Sequence, residues 1–234
     1  MHLSVIIPTM KRLETTKLLA QRIRGLLPEL NIEVIVVTPA TVEPLTSDEF
    51  VRYVADAGCG VYAAYSAGLQ SARGSYIWFM GDDDYPLDAA TDISAILRDG
   101  AVDVLIAPVV FSSGRIYRPR RTLFFLHFLN WCQQGVIYRR RELQQYRFFR
   151  QLTVQADQYI NIQLRSDPAV RKMFLTQPIC VFGVNGMSGR ARDLGYRRLR
   201  LALARRTLSC GAFLAFRALV ILEPLIKRFA NIRS

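Results

Sequence analysis

Three consecutive aspartates follow a strongly apolar segment in this sequence. Residues 76–86 read YIWFMGDDDYP. Asp82, Asp83 and Asp84 therefore come directly after a run that predicts a buried strand. Carboxylates this close repel one another, so a folded protein keeps them together only where water or a cation offsets the repulsion. Asp82 and Asp84 could share a hard cation such as Mg²⁺ or Mn²⁺, which takes oxygen ligands from carboxylates and phosphates. A solvated acidic loop is the alternative interpretation.

The segments around the aspartates alternate between strand and helix patterns. Strands are predicted at 3–7, 32–38, 75–80 and 102–111 (broken by Pro108), and helices at 13–27, 61–73 (stopped by Gly74) and 87–98. Continuous Val and Ile runs are typical of parallel strands that are buried on both faces. The alternation predicts an α/β fold with a mostly parallel sheet, in which ligands bind beyond the carboxyl ends of the strands. PTMKR (8–12) and GDDD (81–84) both follow strands, so we expect them to line one crevice.

The second half of the sequence is less regular. QQGVIYRRREL (133–143) predicts a strand that enters a helix, and residues 154–165 predict another helix. The last segment, residues 197–229, has the pattern of a long amphipathic helix. No internal repeat or low-complexity segment is visible.

Composition favours one globular domain with an anionic partner. The chain has 234 residues and is 51% hydrophobic, which is enough for a core without disulfides. Its formal net charge is +12, and such an excess attracts nucleic acid, anionic lipid or phosphorylated substrates. Acidic residues are concentrated in the first half and basic residues in the second, so the two halves are expected to have different roles.

Cysteine usage indicates a reducing compartment. The four cysteines are Cys59, Cys132, Cys180 and Cys210. They are far apart and form no C-x-x-C pair, so a zinc site is not expected and reduced thiols in the cytosol are the simplest interpretation. The opening MHLSVIIP leads straight into a strand pattern, so no signal peptide is expected.

Five blocks of sequence occur in an order that matches a known family. They are LSVIIPTMKR (3–12), GCGVYAAYSAGLQSARGSYIWFMGDDD (58–84), CQQGVIYRRREL (132–143), VQADQYINIQL (154–164) and PICVFGVNGMSG (178–189). Together they resemble the family-two glycosyltransferases with the GT-A fold, above all the small bacterial enzymes of exopolysaccharide and O-antigen assembly. The resemblance implies a single Rossmann-like domain over residues 1–196. Residues 1–111 would bind a nucleotide sugar and residues 112–196 would face the acceptor.

The resemblance also implies roles for individual residues on the donor side. Asp82–Asp84 would be the family's D-x-D-type motif, which binds Mg²⁺ or Mn²⁺ and the diphosphate of a UDP-sugar. Asp84 would be the direct metal ligand, and Asp82 would face the ribose or the waters of the metal. The implied nucleotide-sugar-binding residues are Pro8, Thr9, Arg12, Thr38, Tyr62, Ser66, Asp82 and Asp83, and the implied acceptor-side residues are Gln133 and Gln134.

Asp157, in QADQY, matches the acid of the family that deprotonates the acceptor hydroxyl. A hydroxyl is a poor nucleophile until a base takes its proton as the new bond forms. Direct displacement with one such base inverts the anomeric centre. The alternative interpretation of Asp157 is an acid near a helix N-terminus that is stabilised by the helix dipole.

Several positions depart from the family pattern. The second strand ends at Thr38, where the family usually has acids that recognise the base and ribose. Ala63 and Ser66 replace an aspartate and an asparagine, and Gln133 stands where histidine is usual. A catalytically inactive, membrane-bound homologue is therefore one alternative to an active enzyme.

The C-terminal segment, residues 197–234, predicts a basic amphipathic helical tail. Residues 208–222 are apolar but fall short of the roughly 20 residues that cross a bilayer. Arginines and lysines on both sides predict a helix that lies on an anionic membrane surface. The alternative is a helix packed on the domain with a solvated basic face. The resemblance implies an acceptor carried on a polyprenyl diphosphate, which would place the protein on the cytoplasmic side, peripheral to the inner face of the cytoplasmic membrane.

A nucleic-acid-binding protein is the alternative from another functional class. The sequence pI is about 10.0, and RIYRPRR (115–121) is a basic segment of the kind that contacts phosphates. No helix-turn-helix, RRM or zinc-finger pattern is visible, so no nucleic-acid partner is expected. The preferred prediction is an inverting, metal-dependent glycosyltransferase of the hexosyl or N-acetylhexosaminyl class.

Overall fold

The elements of the fold follow the predicted alternation of strands and helices. A computed structural model describes residues 2–44, 47, 49–57, 60–146, 152, 154–183 and 195–230. Its strands are β1 (Leu3–Pro8), β2 (Ile32–Pro39), β3 (Val51–Asp56), β4 (Tyr76–Phe79), β5 (Tyr85–Pro86), β6 (Val104–Ile106), β7 (Val109–Phe111), β8 (Ile116–Tyr117), β9 (Val136–Arg139), β10 (Lys172–Phe174) and β11 (Cys180–Phe182). Its α-helices are α1 (Leu13–Leu26), α2 (Val61–Ser71), α3 (Ile93–Asp99), α4 (Leu123–Leu126), α5 (Arg140–Gln145), α6 (Ala156–Ser166), α7 (Tyr196–Thr207) and α8 (Cys210–Ala230).

A seven-stranded sheet in the order β10-β6-β9-β4-β1-β2-β3 forms the centre of the described structure. Strands β4, β1, β2 and β3 are parallel neighbours, and β6 is parallel to β10. Strand β9 lies between β4 and β6 and runs antiparallel to both. The predicted α/β class with a mostly parallel sheet is confirmed.

Apolar side chains cover both faces of this sheet. Val5 and Ile7 of β1 join a core with α1 and α3, whereas Ile6 joins a second core with α2, α5, α6 and α7. All three side chains are fully buried. Successive residues of a strand point to opposite faces, so a continuous apolar run is what a sheet with helices on both sides requires. The result is a three-layer arrangement of helices, sheet and helices.

A second, four-stranded sheet in the order β5-β11-β7-β8 lies beside the first. The break predicted at Pro108 is where the chain passes from β6 in the large sheet to β7 in the small one. Strands β5, β8, β10 and β11 are two or three residues long, and their patterns were too short to predict. Strand β3 was also missed, because VRYVAD carries charged residues among its apolar ones.

Gly74 has a different role from the one that the sequence predicted. Helix α2 ends at Ser71, and Gly74 lies where the chain passes close to β1. A Cβ on Gly74 would sit 2.5 Å from the Ser4 backbone nitrogen, and the Gly74 N–H donates to Ser4 Oγ at 2.8 Å. A close approach between two backbones, rather than a helix stop, requires glycine here.

The C-terminal helices pack on the rest of the chain. Tyr196 and Leu203 of α7 are buried in the core shared with α2 and α6. Phe216 and Val220 of α8 are buried in a smaller cluster that includes aromatic side chains from α4 and the turn after it, with Phe128 and Phe216 5.0 Å apart between ring centroids. The prediction that this segment is helical is confirmed through Ala230, as the two helices α7 and α8. The domain boundary predicted at residue 196 coincides with the first residue of α7, which packs in the same core as Ile6.

His127 packs against this smaller cluster through its imidazole ring. Its ring is fully buried, lies 5.2 Å from the Phe216 ring, and has Nε2 3.1 Å from Thr207 Oγ1. Burial and then the nearby charge of Arg200 lower the pKa of His127 to about 4. The imidazole is therefore neutral near pH 7, as packing against aromatic rings requires.

Two expectations about the chain as a whole can be compared with the described residues. Cys132, Cys180 and Cys210 are free thiols, as expected, whereas Cys59 lies outside those residues. Within the described part of the chain, no helix is both long enough and apolar enough to cross a membrane.

Replacing Phe216 by alanine should lower the free energy of unfolding by about 3–5 kcal/mol, because a fully buried aromatic side chain would leave a cavity between α4, α7 and α8. The matched control is Leu214→Ala on the same helix, whose side chain is 62% exposed and whose loss should change stability by less than about 0.5 kcal/mol. Urea unfolding followed by circular dichroism measures both values. Equal stabilities for the two variants would contradict the packing of α8 described above.

Candidate active site

The acidic loop lies at the carboxyl end of β4, next to the carboxyl end of β1. These strands are neighbours in the sheet although β2 and β3 separate them in sequence, so the strand order reverses between them. Thr9 Oγ1 donates to Asp82 Oδ2 at 2.6 Å, and Arg12 Nη1 lies 3.5 Å from Asp82 Oδ1. The two segments share one edge, as expected, at the kind of switch point where α/β sheets bind ligands.

Asp84 is the buried member of the cluster. Its side chain is 5% exposed, Oδ2 accepts the Gly81 N–H, and Oδ1 accepts the Gly183 N–H at 3.1 Å. Burial, with a smaller contribution from the charge of Asp83, raises the pKa of Asp84 to about 6 against the lowering effect of the amide hydrogen bonds. Asp84 thus ties the loop after β4 to the residue that follows β11 in the small sheet.

Two glycines leave room for the carboxylates of Asp83 and Asp84. A Cβ on Gly81 would lie 2.9 Å from Asp83 Oδ1 and 3.0 Å from Asp84 Oδ2. A Cβ on Gly183 would overlap Asp83 Oδ2. Oxygens of two carboxylates therefore border the same small space beside Gly81, and Asp83 is partly exposed there.

This arrangement fits a hard divalent cation. Converging carboxylate oxygens are the donors that Mg²⁺ and Mn²⁺ prefer, and such ions are usually held by one or two carboxylates together with phosphate oxygens and water. Among the described residues, no group of three or more His, Cys, Asp or Glu side chains could hold a metal ion by itself. A cation here would need ligands from a bound substrate.

A cavity of about 280 Å³ adjoins the acidic loop. Its polar lining consists of Asn130, Gln133, Gln134 and Asp157, and much of the remaining wall is aromatic. Gln133 and Gln134 precede β9, which runs antiparallel to β4. Because of this reversal, the start of β9 lies at the same edge of the sheet as the end of β4. The cavity is therefore next to the acidic loop although about fifty residues separate them in sequence.

Asp157 lies in the first turn of α6 with its carboxylate in the cavity wall. Oδ1 accepts from the Tyr62 hydroxyl and from the Gln158 N–H, each at 2.8 Å, and Oδ2 accepts from Asn130 Nδ2 at 2.7 Å. Burial raises the pKa of Asp157 to about 6, against the lowering effect of these hydrogen bonds. A carboxylate with a pKa close to neutrality and access to a cavity is suited to accept a proton.

A chain of hydrogen bonds extends behind Asp157. Asn161 Nδ2 donates to Asn130 Oδ1 at 3.0 Å, and Asn161 Oδ1 accepts from the Tyr138 hydroxyl at 2.8 Å. The same hydroxyl lies 3.2 Å from Gln133 Oε1. Gln133 is 7% exposed, and none of the described residues pairs with its buried Nε2. Because Gln133 lines the cavity, this amide could donate to a ligand there.

The acidic loop and the cavity are electrostatically connected. Burial, followed by the charges of Asp84 and Asp157, raises the pKa of the Tyr65 hydroxyl well above its usual value. The pKa of this one hydroxyl therefore depends on the charges of both carboxylates. The Gln134 side chain is a hydrogen-bond partner of Asp84 and also accepts from Cys132 Sγ at 3.3 Å. The two groups of residues form one site rather than two.

The predicted site residues separate into two groups. The acidic edge has Pro8, Thr9, Arg12, Asp82, Asp83 and Asp84. The cavity has Tyr62, Gln133, Gln134 and Asp157. Thr38 is 2% exposed within β2, and Ser66 Oγ donates to the Tyr62 carbonyl at 2.8 Å, so the structure brings neither side chain into the cavity. Tyr62, expected to contact the donor, contacts Asp157 instead; its role in donor binding stays a prediction.

Sequence reasoning missed Asn130 and Gly183. Asn130 precedes the CQQG block, and its contact with Asp157 depends on the packing of the segment before β9 against α6. Gly183 lies within the block PICVFGVNGMSG (178–189), for which the family resemblance implied no site residue. The only signal for Asn130 in the sequence is that it is a polar residue between the apolar Leu129 and Trp131.

Comparison with known proteins gives the family. Residues 4–174 match the model of glycosyl transferase family 2. The chain belongs to this family. The match covers nearly all of the large sheet, the acidic loop, Asp157 and the cavity lining except Phe182. No curated protein matches the chain in sequence.

Solved structures with the same fold include S. aureus TarS and the mannosyltransferase PcManGT. S. aureus TarS matches with a TM-score of 0.65 and 20% identity. The match covers 93% of this chain and 42% of the TarS chain, so this chain spans less than half the length of TarS. TarS 1-349 in complex with UDP-GlcNAc gives 0.62 at 17% identity, with 91% and 69% covered. The mannosyltransferase PcManGT from Pyrobaculum calidifontis, in complex with GDP-Man and Mn²⁺, gives 0.55 at 15% identity, with 94% and 80% covered. The expected GT-A fold is confirmed.

Replacing Tyr62 by phenylalanine should raise the pKa of Asp157 above about 6, because the variant loses a hydroxyl that stabilises the carboxylate while the side chain stays buried. NMR titration of a ¹³C-labelled Asp157 carboxyl measures the shift. The matched control is Tyr146→Phe, which removes a tyrosine hydrogen bond from Asp167 at the other end of α6 and should raise the pKa of Asp167 alone. An unchanged pKa of Asp157 in Tyr62→Phe would contradict this account.

Proposed function

We propose that this family 2 chain transfers a sugar from a UDP-sugar donor to an acceptor hydroxyl with inversion of the anomeric centre. The observation that carries the proposal is the Asp157 carboxylate, held by Tyr62 and Asn130 in the wall of a cavity beside the acidic loop. Family membership supports glycosyl transfer. The complexes of TarS with UDP-GlcNAc and of PcManGT with GDP-Man support a nucleotide-sugar donor. The transferred group would be a hexosyl or N-acetylhexosaminyl unit.

Asp157 is the proposed general base. Its carboxylate takes the proton of the acceptor hydroxyl as the hydroxyl oxygen bonds to the anomeric carbon and the bond from that carbon to the diphosphate breaks. Hydrogen bonds from Tyr62 and the Gln158 N–H to Oδ1, and from Asn130 to Oδ2, hold this carboxylate in the cavity wall. The raised pKa of about 6 makes Asp157 a stronger base than an exposed aspartate while leaving it ionised at pH 7.

The acidic loop is the proposed binding site for the donor diphosphate and a divalent cation. Asp83 and Asp84 would hold Mg²⁺ or Mn²⁺, since their oxygens border the space beside Gly81. Asp82, whose spacing from Asp84 predicted a shared cation, accepts from Thr9 and lies near Arg12, so we assign it to ordering the loop. When bound, the cation would neutralise the charge of the departing nucleoside diphosphate. The guanidinium of Arg12, 54% exposed, would add positive charge at the same edge.

The acceptor is proposed to be a saccharide carried on a polyprenyl diphosphate, in the synthesis of a surface polysaccharide. The aromatic wall of the cavity suits the apolar face of a sugar ring, and the buried Gln133 amide supplies a donor for a sugar hydroxyl. A lipid-linked acceptor would bring the enzyme to the inner face of the cytoplasmic membrane, as a peripheral protein.

Replacing Asp157 by asparagine should reduce the turnover number about 10²–10⁴-fold and leave UDP affinity unchanged, because the variant loses the proton acceptor but not the donor site. Asp167→Asn, on the same helix but outside the cavity, is the matched control and should keep wild-type turnover. In the wild type, kcat/KM should fall as pH drops below about 6, because protonated Asp157 cannot accept a proton. Turnover of Asp157→Asn above about a tenth of wild type would rule out the assigned role.

Binding of UDP should require Mn²⁺ or Mg²⁺ and should be abolished by EDTA. Asp83→Asn should weaken metal-dependent UDP binding by at least about 10–100-fold. That is the usual loss when a residue that only supports a metal ligand is replaced, and here a direct ligand oxygen is removed. Asp88→Asn, an 87% exposed acid paired with Arg22, is the matched control and should bind as the wild type does. Isothermal titration calorimetry gives the affinities. UDP affinity that is the same in Mn²⁺ and in EDTA would refute the metal site.

A further inference from the structure

Helix α8 exposes an apolar face to solvent. Phe216 and Val220 face the rest of the chain, and the opposite side of the helix presents Leu214, Ile221 and Leu222 at 62%, 63% and 45% exposure. Ordinary surface helices carry polar residues on that side. Between Cys210 and Leu222, Arg217 is the one charged residue, so the exposed face is apolar along more than three turns.

A second exposed apolar pair lies on the segment of α4, which packs against α8. Phe125 and Leu129 are 48% and 47% exposed and lie one helical turn apart, since the Leu129 N–H donates to the Phe125 carbonyl. Their neighbours Phe124 and Phe128 pack against the cluster that contains Phe216. We refer to Phe125, Leu129, Leu214, Ile221 and Leu222 together as the α4–α8 face.

Arginines are concentrated in the segments that carry the α4–α8 face. Residues 195–222 contain six arginines and no aspartate or glutamate. Arg205, Arg206 and Arg217 are among the exposed ones. The loop that leads into α4 adds Arg118, Arg120 and Arg121, also exposed. The surroundings of the apolar face are therefore strongly cationic.

We propose that the α4–α8 face docks on an anionic lipid bilayer. The apolar side chains would enter the boundary between headgroups and acyl chains, and the arginines would contact lipid phosphates. A second copy of this chain is a poorer occupant, because it would bring an equally cationic surface against this one. Charge complementarity thus selects an anionic surface that also accepts apolar side chains.

The position of this face relates it to the catalytic cavity. Leu129 is adjacent in sequence to Asn130, which lines the cavity and holds Asp157. Docking here would place the cavity near the lipid surface, where a polyprenyl-linked acceptor would be found. This part of the inference rests on the proposed function, whereas docking itself does not require any particular reaction.

Vesicle co-sedimentation of the full chain tests the proposal. The vesicles are phosphatidylcholine alone or phosphatidylcholine with phosphatidylglycerol, and the variants are Leu214→Glu/Ile221→Glu on α8 and Phe125→Glu on α4. Leu18→Glu is the matched control, because Leu18 is 67% exposed on α1, outside the face. Wild type and control should bind only the anionic vesicles, and both α4–α8 variants should bind more than about tenfold more weakly. Arg205→Gln/Arg206→Gln should weaken binding to anionic vesicles, as should added salt.

Several results would overturn the proposal. These are wild-type binding that is absent or equal on neutral vesicles, an equal loss in Leu18→Glu, or a wild-type dimer that Leu214→Glu/Ile221→Glu converts to a monomer without any vesicle binding. Circular dichroism melting of each variant shows whether it is folded, and these exposed positions should leave the midpoint unchanged. UDP calorimetry on the wild type separates the two proposals. A wild type that binds UDP but not anionic vesicles refutes docking alone, and a wild type that binds anionic vesicles but not UDP refutes the donor site alone.

Discussion

One buried and one half-buried carboxylate at one edge of an apolar sheet set the main constraint on this structure. Burial disfavours the ionised forms of both Asp84 and Asp157 and raises both pKa values to about 6. The chain offsets this cost with directed hydrogen bonds: backbone amides for Asp84, and side chains of Tyr62 and Asn130 for Asp157. Those partners come from distant segments, so the site requires the whole sheet to be assembled.

The small sheet is part of this same arrangement. Strand β11 delivers the amide of Gly183 to Asp84, and a side chain at that position would overlap Asp83. The large sheet provides the acidic loop, and the small sheet closes the space around it. Both sheets therefore form this site. The carboxylates of Asp83 and Asp84 can lie close together because Gly81 and Gly183 have no side chains.

The long elements and the acidic loop could be predicted from sequence, whereas the contacts that join them could not. Strands β1, β2 and β4 are continuous apolar runs, which only a doubly covered sheet accommodates. Strands of two or three residues have no period to detect. Family motifs led to Tyr62 and Asp157, which are in contact, and to Ser66, which bonds within its own helix, and the binding or catalytic roles of all three stay predictions. Asn130 was missed because its role depends on where two segments meet in space, which the sequence around it does not encode.

The reversed direction of β9 has a consequence for how such enzymes diversify. Residues that precede an antiparallel strand reach the same edge as residues that follow a parallel one, yet they belong to a different stretch of chain. The connection from β8 to β9 can therefore lengthen, shorten or change composition while the pairing of β1 with β4 stays intact. Under the proposed function, acceptor preference can change in this connection while the loop after β4 stays the same, so the two halves of the proposed site can evolve separately.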